Sequence, residues 1–390
     1  NLCRDADVKS QTMPGMFELL TGKVGVNRLR NVEISDLLRR NPANRNTTVD
    51  MVHGRIVLVT GAGGSIGSEL ARQVAKASPS RLVLLGHGEN SIFETEASLK
   101  RSFPNVPLTA IIADIRDQHR MAAAFDAVRP QVVFHAAAHK HVPLMEDNPE
   151  EAVTNNVIGT HVVVTQCRRV GVERFVLIST DKAVAPTSIM GATKRLAEEI
   201  VADVARTSGQ AFVTVRFGNV LGSRGSVVNT FKRQIEEGGP VTVTHPEMTR
   251  FFMTIPEAVH LVLEASARGK GGELFVLDMG EPIRIVDLAR DLITLSGLSE
   301  EGIPITFVGM RPGEKMHEAL FDDGLQARAT EHPQVLEVIR GACPATFDIE
   351  AMIRELISAV HAGDRDALRE VLARAIGHSA RASSSSPGGV

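Results

Sequence analysis

The stretch RIVLVTGAGGSIGSELARQV, from Arg55 to Val74, carries three local signals in succession. Ile56 to Thr60 is a β-branched apolar run of strand length. Gly61, Gly63, Gly64 and Gly67 follow, and Ser65 to Val74 has a helical pattern. Glycines at Gly61, Gly64 and Gly67 permit a tight turn and a close approach of backbone to a pyrophosphate. The helix opening at Ser65 and Ile66 turns its N-terminus toward that negative charge. A glycine motif alone is weak evidence; strand, loop and helix in this order make it strong.

Further apolar runs follow at Arg81–Leu85, Leu108–Ala113, Gln131–His135, Phe175–Ile178 and Val213–Val220, with helical patterns between the earlier ones. Strands alternating with helices over residues 54–220 predict an α/β fold with a Rossmann-like, doubly wound parallel sheet. An acid often ends the second strand of such a sheet to hold a ribose. Here Gly86 stands there. Glu89 is within reach of a ribose, and His87 of a 2′-phosphate, so NAD and NADP both remain open. Asp114, followed by Ile115, ends the third strand and is read either as an adenine contact or as a helix cap. Ala136 and Ala137 after the fourth strand are small enough to admit a nicotinamide. The run His139-Lys140-His141 lacks the carboxylate or cysteine pattern of a metal site, so no metal is expected. Lys140 and His141 are assigned to substrate phosphate or sugar.

A second informative stretch is ISTDKAVAPTSIMGATKRLAE, Ile178 to Glu198. It places Thr180, Asp181 and Lys182 at a strand end. Met190 and Lys194, four apart, share one face of the next helix. Taken singly, a Thr-Asp pair is commonly a turn or cap, a helical Met core filler and a Lys solvated. Their joint spacing downstream of the glycine loop favours a catalytic reading.

The chain has 390 residues, 43% hydrophobic and 23% charged, with a formal charge of −3. Its basic residues are dispersed, which indicates no nucleic-acid footprint. Cys3, Cys167 and Cys343 are far apart and odd in number, pointing to a reducing compartment. Residues 1–50 are read as an arm, the remnant of an upstream domain plus a linker. Residues 51–220 form the cofactor domain. Residues 221–340 form a sugar-binding subdomain with some segments returning to the first. Residues 341–378 are helical, and 379–390 a disordered tail. Loop segments after residue 218 carry Asn219, Arg224, Ser226, Arg250, Arg311 and Glu314. Three arginines on separate loops suit a diphosphate ligand. The apolar faces of the helices near 150–170 and 190–207 suit a helix-bundle homo-oligomer contact.

Six ordered segments, TGAGGSIGSELARQ, HAAAHKHVPLMEDNP, STDKAVAPTSIMGATKR, RFGNVLGSRGSVV, THPEMTRFFMTI and GMRPGEK, resemble bacterial UDP-N-acetylglucosamine 4,6-dehydratases. These form the polysaccharide-biosynthesis branch of the extended short-chain dehydrogenases. Met190 stands where that superfamily usually has Tyr, and the chain has no Tyr at all. In this it is similar to the longer members, which carry membrane helices and a domain upstream. The resemblance implies a UDP-sugar substrate and a cytoplasmic site, with the full-length protein anchored at the inner membrane. It also implies NAD or NADP, tightly bound and recycled. The cofactor takes hydride from carbon 4, water leaves across carbons 5 and 6, and hydride returns to carbon 6. Thr180 would bond the 4-hydroxyl, Asp181 protonate the departing 6-hydroxyl, Lys182 take the carbon-5 proton and Lys194 hold the nicotinamide ribose. The base for the 4-hydroxyl is then either Asp181 or a water. A 4-epimerase or a non-catalytic sensor is the competing expectation.

Denaturing the purified protein should release NAD(H) or NADP(H), detectable by chromatography. No released nucleotide, together with no saturable binding of either form, would contradict the reading of the glycine loop.

Overall fold

The computed structural model describes residues 50–322, 325–339 and 348–384. Among them, six strands form the body of the main sheet: β1 Ile56–Thr60, β2 Arg81–Gly86, β3 Leu108–Ile112, β4 Val132–His135, β5 Arg174–Thr180 and β6 Ala211–Phe217. Their order is β6-β5-β4-β1-β2-β3, and all neighbours are parallel. Strand Leu274–Leu277 adds in parallel to β6, and an antiparallel pair, Val335–Ile339 and Gln326–Ala329, closes that edge. Valine and leucine fill the inner strands because helices cover both faces; all four residues of β4 are buried. The strand order reverses between β1 and β4. A crevice for a ligand therefore lies outside their carboxyl ends.

The chain divides into two compact units. The smaller holds Asn219–Thr254 and Glu281–Met310, with helices Val227–Glu236 and Ile285–Leu295 and three short strand pairs. The larger unit regains the chain at Ile255–Gly280, whose helix Ile255–Arg268 and strand Leu274–Leu277 return to the main sheet, and again from Arg311 onward.

One expectation is corrected at the C-terminal end. Helices Ile349–Ala362 and Arg365–Ser384 form a hairpin. They pack Ile349, Met352, Leu356, Leu368 and Leu372 against Ala152, Val153, Val157, Ile189, Met190, Leu196 and Ile200. Arg365 Nε to Glu150 at 2.6 Å and His161 Nε2 to Glu350 at 3.0 Å border the contact. These apolar residues are thus covered by the chain's own last helices. The last helix also continues through Ser384, where a disordered tail was expected from 379. Apart from Gly377, no Gly or Pro interrupts that helix before Pro387. The expected arm at residues 1–49, the segment 340–347 and residues 385–390 lie outside the described residues. Among the described residues no helix is long and apolar enough to cross a membrane.

Leu356 is completely buried in this contact. Leu356→Ala should cost about 2–5 kcal/mol in a urea titration. A loss below about 0.5 kcal/mol, typical of a surface site, would mean the hairpin is not packed as described.

Candidate active site

β1 delivers Thr60 to the sheet edge, and Gly61 turns the chain with φ +63°, a conformation that favours glycine. A Cβ on Gly61 would lie 2.7 Å from Ala137 N and 2.8 Å from the Ala136 carbonyl. A Cβ on Gly67 would collide with the Gly61 carbonyl. The loop is therefore pressed onto the small residues ending β4, and helix Ser65–Lys76 starts from Gly64 with no side-chain cap. Backbone donors at a helix start, reached over alanine and glycine, make a cradle that fits the pyrophosphate of a dinucleotide.

The far side of the cradle differs in detail from the sequence reading. His87 and Glu89 are exposed after β2. Asp114 does not cap the next helix; Asp117 does, accepting from Arg120 N at 2.9 Å. Asp114 instead grips Arg116, accepting from its Nε at 3.0 Å and its terminal nitrogen at 2.7 Å. Arg116 in turn reaches Glu151 at 2.9 Å. The Arg116 guanidinium, with a smaller contribution from nearby His87, holds the Asp114 carboxyl below the usual range. Ile115 points into the core, where Gly159 leaves it room.

Behind the β1–β4 junction, a buried hydrogen-bond chain fixes the floor of the crevice. Thr160 Oγ1 donates to Asn156 O at 2.7 Å, so it accepts from His135 Nε2 at 3.1 Å. His135 Nδ1 then accepts from Thr60 Oγ1 at 2.7 Å. Burial, with Lys194 nearby, pushes His135 down to about 3, so the ring is neutral. Asn156 sits in a π-helical turn, Thr154–Ile158. It holds the loop after β4 by accepting from His139 N at 2.8 Å and donating to His139 O at 3.0 Å. A wide turn of this kind commonly marks a functional site. His139 pairs with Glu151 at 3.0 Å, and among the described residues no group of three metal-ligating side chains converges. Lys140 and His141 are both at the surface. Partial desolvation, then Lys182, lowers the proton affinity of Lys140. His141 is lowered by desolvation, then by Lys140 and His139.

β5 ends in a cluster of hydroxyl, carboxylate and amine. Thr180 Oγ1 donates to Asp181 Oδ1 at 2.9 Å, and Lys182 Nζ donates to the same oxygen at 2.9 Å. Asp181 is fully buried, and its Oδ2 has no hydrogen-bond partner among the described residues. Ser188 caps helix Ile189–Ser208, accepting from Gly191 N at 3.0 Å. On that helix Met190 is core, 2% exposed, so its thioether fills space at the customary tyrosine position. One turn on, Lys194 Nζ donates to Ile178 O at 2.7 Å. Burial pushes Lys194 down to about 8, partly opposed by Glu198.

Three supporting residues escaped the sequence reading. Glu198 accepts from Ser179 Oγ at 2.6 Å and from Arg216 Nε at 2.7 Å, all fully or nearly buried. Glu318 lies 3.8 Å from Lys182 Nζ and 3.5 Å from Lys315 Nζ. Helical spacing from Lys194 to Glu198 was visible; its partners on β5 and β6 were not. The proposed diphosphate residues fall in different units. Asn219, Arg224, Ser226 and Arg250 belong to the smaller, Arg311 and Glu314 to the larger. Arg250 is 7% exposed, Arg224 and Arg311 are exposed, and Ser226 starts helix Val227–Glu236. Glu314 accepts from Arg311 N at 3.3 Å.

Parallel strands in this order, with a glycine cradle at the reversal, define a dinucleotide-binding fold of the extended short-chain dehydrogenase type. Within it the chain belongs to the family described as polysaccharide biosynthesis protein, whose model matches residues 57–340. It is 48% identical to the capsular polysaccharide biosynthesis protein CapD of Staphylococcus aureus over 365 residues, covering 92% of this chain and 60% of CapD. The chain therefore spans under two thirds of that relative's length. It is 34% identical to UDP-N-acetylglucosamine 4,6-dehydratase (inverting) of Campylobacter jejuni serotype O:2, covering 69% of this chain and 78% of that one. UDP-glucose 4-epimerase of Rickettsia rickettsii matches at the same 34% identity, covering 71% and 80%. The structure of Pen from Bacillus thuringiensis superposes with a TM-score of 0.67 at 35% identity, covering 74% of this chain and 90% of Pen.

The shifted Lys194 has a consequence for stability. Between pH 8 and about 10.5 the unfolded chain keeps a proton that folded Lys194 has lost. The unfolded state then binds more protons, so this group makes stability rise with pH across that window. Denaturant titrations at pH 8 and 10 should show that Lys194→Met lacks this increment relative to the parent. Equal pH dependence in the two proteins would mean that Lys194 is not desolvated.

Proposed function

We infer that the chain catalyses dehydration of UDP-N-acetylglucosamine to a UDP-4-keto-6-deoxy sugar, for bacterial surface polysaccharide. The observation that carries this reading is the Thr180-Asp181-Lys182 cluster: a hydroxyl, a buried carboxylate and an amine in mutual hydrogen-bond contact. Epimerisation needs no acid and base for elimination, so the cluster favours dehydration, although epimerases stand among the relatives.

The cofactor is NAD or NADP; Gly61, Gly64 and Gly67 would hold its pyrophosphate and Lys194 its nicotinamide ribose. When bound, it removes hydride from carbon 4 of the sugar and returns it to carbon 6. The chain's own residues handle the protons. Thr180 directs its proton to Asp181 and accepts from Lys182 N at 3.4 Å, which leaves one lone pair of its oxygen for the sugar 4-hydroxyl. The proton leaving that hydroxyl passes through Thr180 Oγ1 to Asp181, the role for which Met190 has no basic atom. Asp181, now acidic, protonates the departing 6-hydroxyl, and water leaves. Lys182 takes the carbon-5 proton, made acidic by the 4-ketone, and gives it back to carbon 5 as hydride reaches carbon 6. The proton balance closes: the 4-hydroxyl proton leaves in the water. Lys140 and His141 then contact the sugar or phosphate. Arg311 and Glu314, in the same unit as the cluster, serve the UDP moiety.

Incubation of UDP-N-acetylglucosamine in deuterated water should place deuterium at carbon 5 of the product. Lys182→Met should abolish that incorporation while UDP affinity stays within about twofold. Asp181→Asn should stop both hydride transfer and water loss. Normal incorporation in Lys182→Met would remove Lys182 from the role of base.

A further inference from the structure

We propose that Glu318 is a positioning residue for Lys182, a second buried carboxylate that holds the amine when Asp181 becomes neutral. The inference rests on the dehydratase reading. Glu318 lies outside the strand-end motif, on the segment beginning at Arg311. Its side chain is 4% exposed, with Oε1 3.8 Å from Lys182 Nζ and Oε2 3.5 Å from Lys315 Nζ. Oε2 is buried and has no hydrogen-bond partner among the described residues. Asp181, on the nearer side at 2.9 Å, also has one bare buried oxygen. Two incompletely bonded carboxylates thus share one amine, with Lys140 acting on it from the loop after β4.

A purely structural buried carboxylate is normally fully hydrogen-bonded. The segment carrying Glu318 also has other ties to the loop after β5. Lys315 Nζ donates to Val184 O at 2.6 Å, Thr187 Oγ1 to Gly313 O at 3.3 Å and Ala185 N to Asp322 Oδ1 at 2.8 Å. Arg195 pairs with the other Asp322 oxygen at 2.8 Å. Anchoring the segment therefore does not require Glu318. Its charge has a use in the reaction. Once Asp181 carries the proton from the 4-hydroxyl, it no longer attracts a cation. Positive charge then develops on Lys182 as it takes the carbon-5 proton, and Glu318 is the remaining negative group set to stabilise it.

Glu318→Gln keeps the volume and removes the charge. Two readouts separate the possibilities. The first is independent of turnover: pulsed reductive methylation, read by mass spectrometry, compares Lys182 with exposed Lys100. Loss of the carboxylate should raise the relative labelling of Lys182 at least threefold; an unchanged ratio overturns the proposal. The second is carbon-5 exchange with deuterated water. Glu318→Gln should slow it at least tenfold with UDP affinity unchanged, and Glu318→Asp should recover part of the loss. Exchange at the parent rate, or exchange and UDP affinity falling together with no recovery in the Asp variant, also overturns it. If the parent protein itself shows no exchange, the dehydratase reading fails, and the labelling ratio alone decides whether Glu318 holds Lys182.

Discussion

The reactive end of β5 depends on one buried ion pair. Glu198 and Arg216 are both inaccessible to solvent, joined by two hydrogen bonds of 2.7 and 2.5 Å. Glu198 belongs to helix Ile189–Ser208, Arg216 to β6, and Ser179, which donates to Glu198, to β5. The pair therefore ties that helix to two strands directly beneath Thr180. Removing one partner of such a pair leaves an uncompensated charge, at a cost of about 3–5 kcal/mol. The same carboxylate partly offsets the desolvation of Lys194. Position and charge at the site thus rest on a carboxylate that touches no reacting atom.

This division of labour explains how the helix tolerates Met190. In the superfamily pattern the tyrosine is both spacer and base. Here Met190 only packs, within a cluster that reaches the C-terminal helices. In the proposed mechanism its chemistry comes from β5, where Thr180 and Asp181 are already hydrogen-bonded. The covering of these helices by the C-terminal hairpin belongs to the same arrangement. Met190 and its apolar neighbours on this helix are packed within the chain.

Much of the fold was legible because it is local. The valine-rich run before Gly61, the glycines themselves and the strand–helix alternation each depend on neighbours a few residues away. The placement of Thr180, Asp181, Lys182 and Lys194 was legible for the same reason, being set by one strand end and one helix turn. Glu198–Arg216 and Lys182–Glu318 were not, because each joins residues far apart in the chain through tertiary contact. Glu318 differs from any surface glutamate only in where it is buried. The packing of the C-terminal hairpin was not legible either. An amphipathic face states that something must cover it, and nothing in the face distinguishes a partner subunit from the chain's own last two helices. The choice of Asp117 over Asp114 as cap turned on Arg116, whose guanidinium takes both Asp114 oxygens.

The central claim is that the Thr180-Asp181-Lys182 cluster eliminates water from a UDP-sugar held over a recycled cofactor. Mass spectrometry of UDP-N-acetylglucosamine incubated with the purified protein tests it most directly. The account predicts a product lighter by one water, formed without added cofactor once the protein is isolated with its nucleotide bound. A product of unchanged mass but altered chromatographic mobility would contradict it in favour of epimerisation. Unaltered substrate with cofactor and UDP-sugar both bound would contradict it in favour of a sensing role.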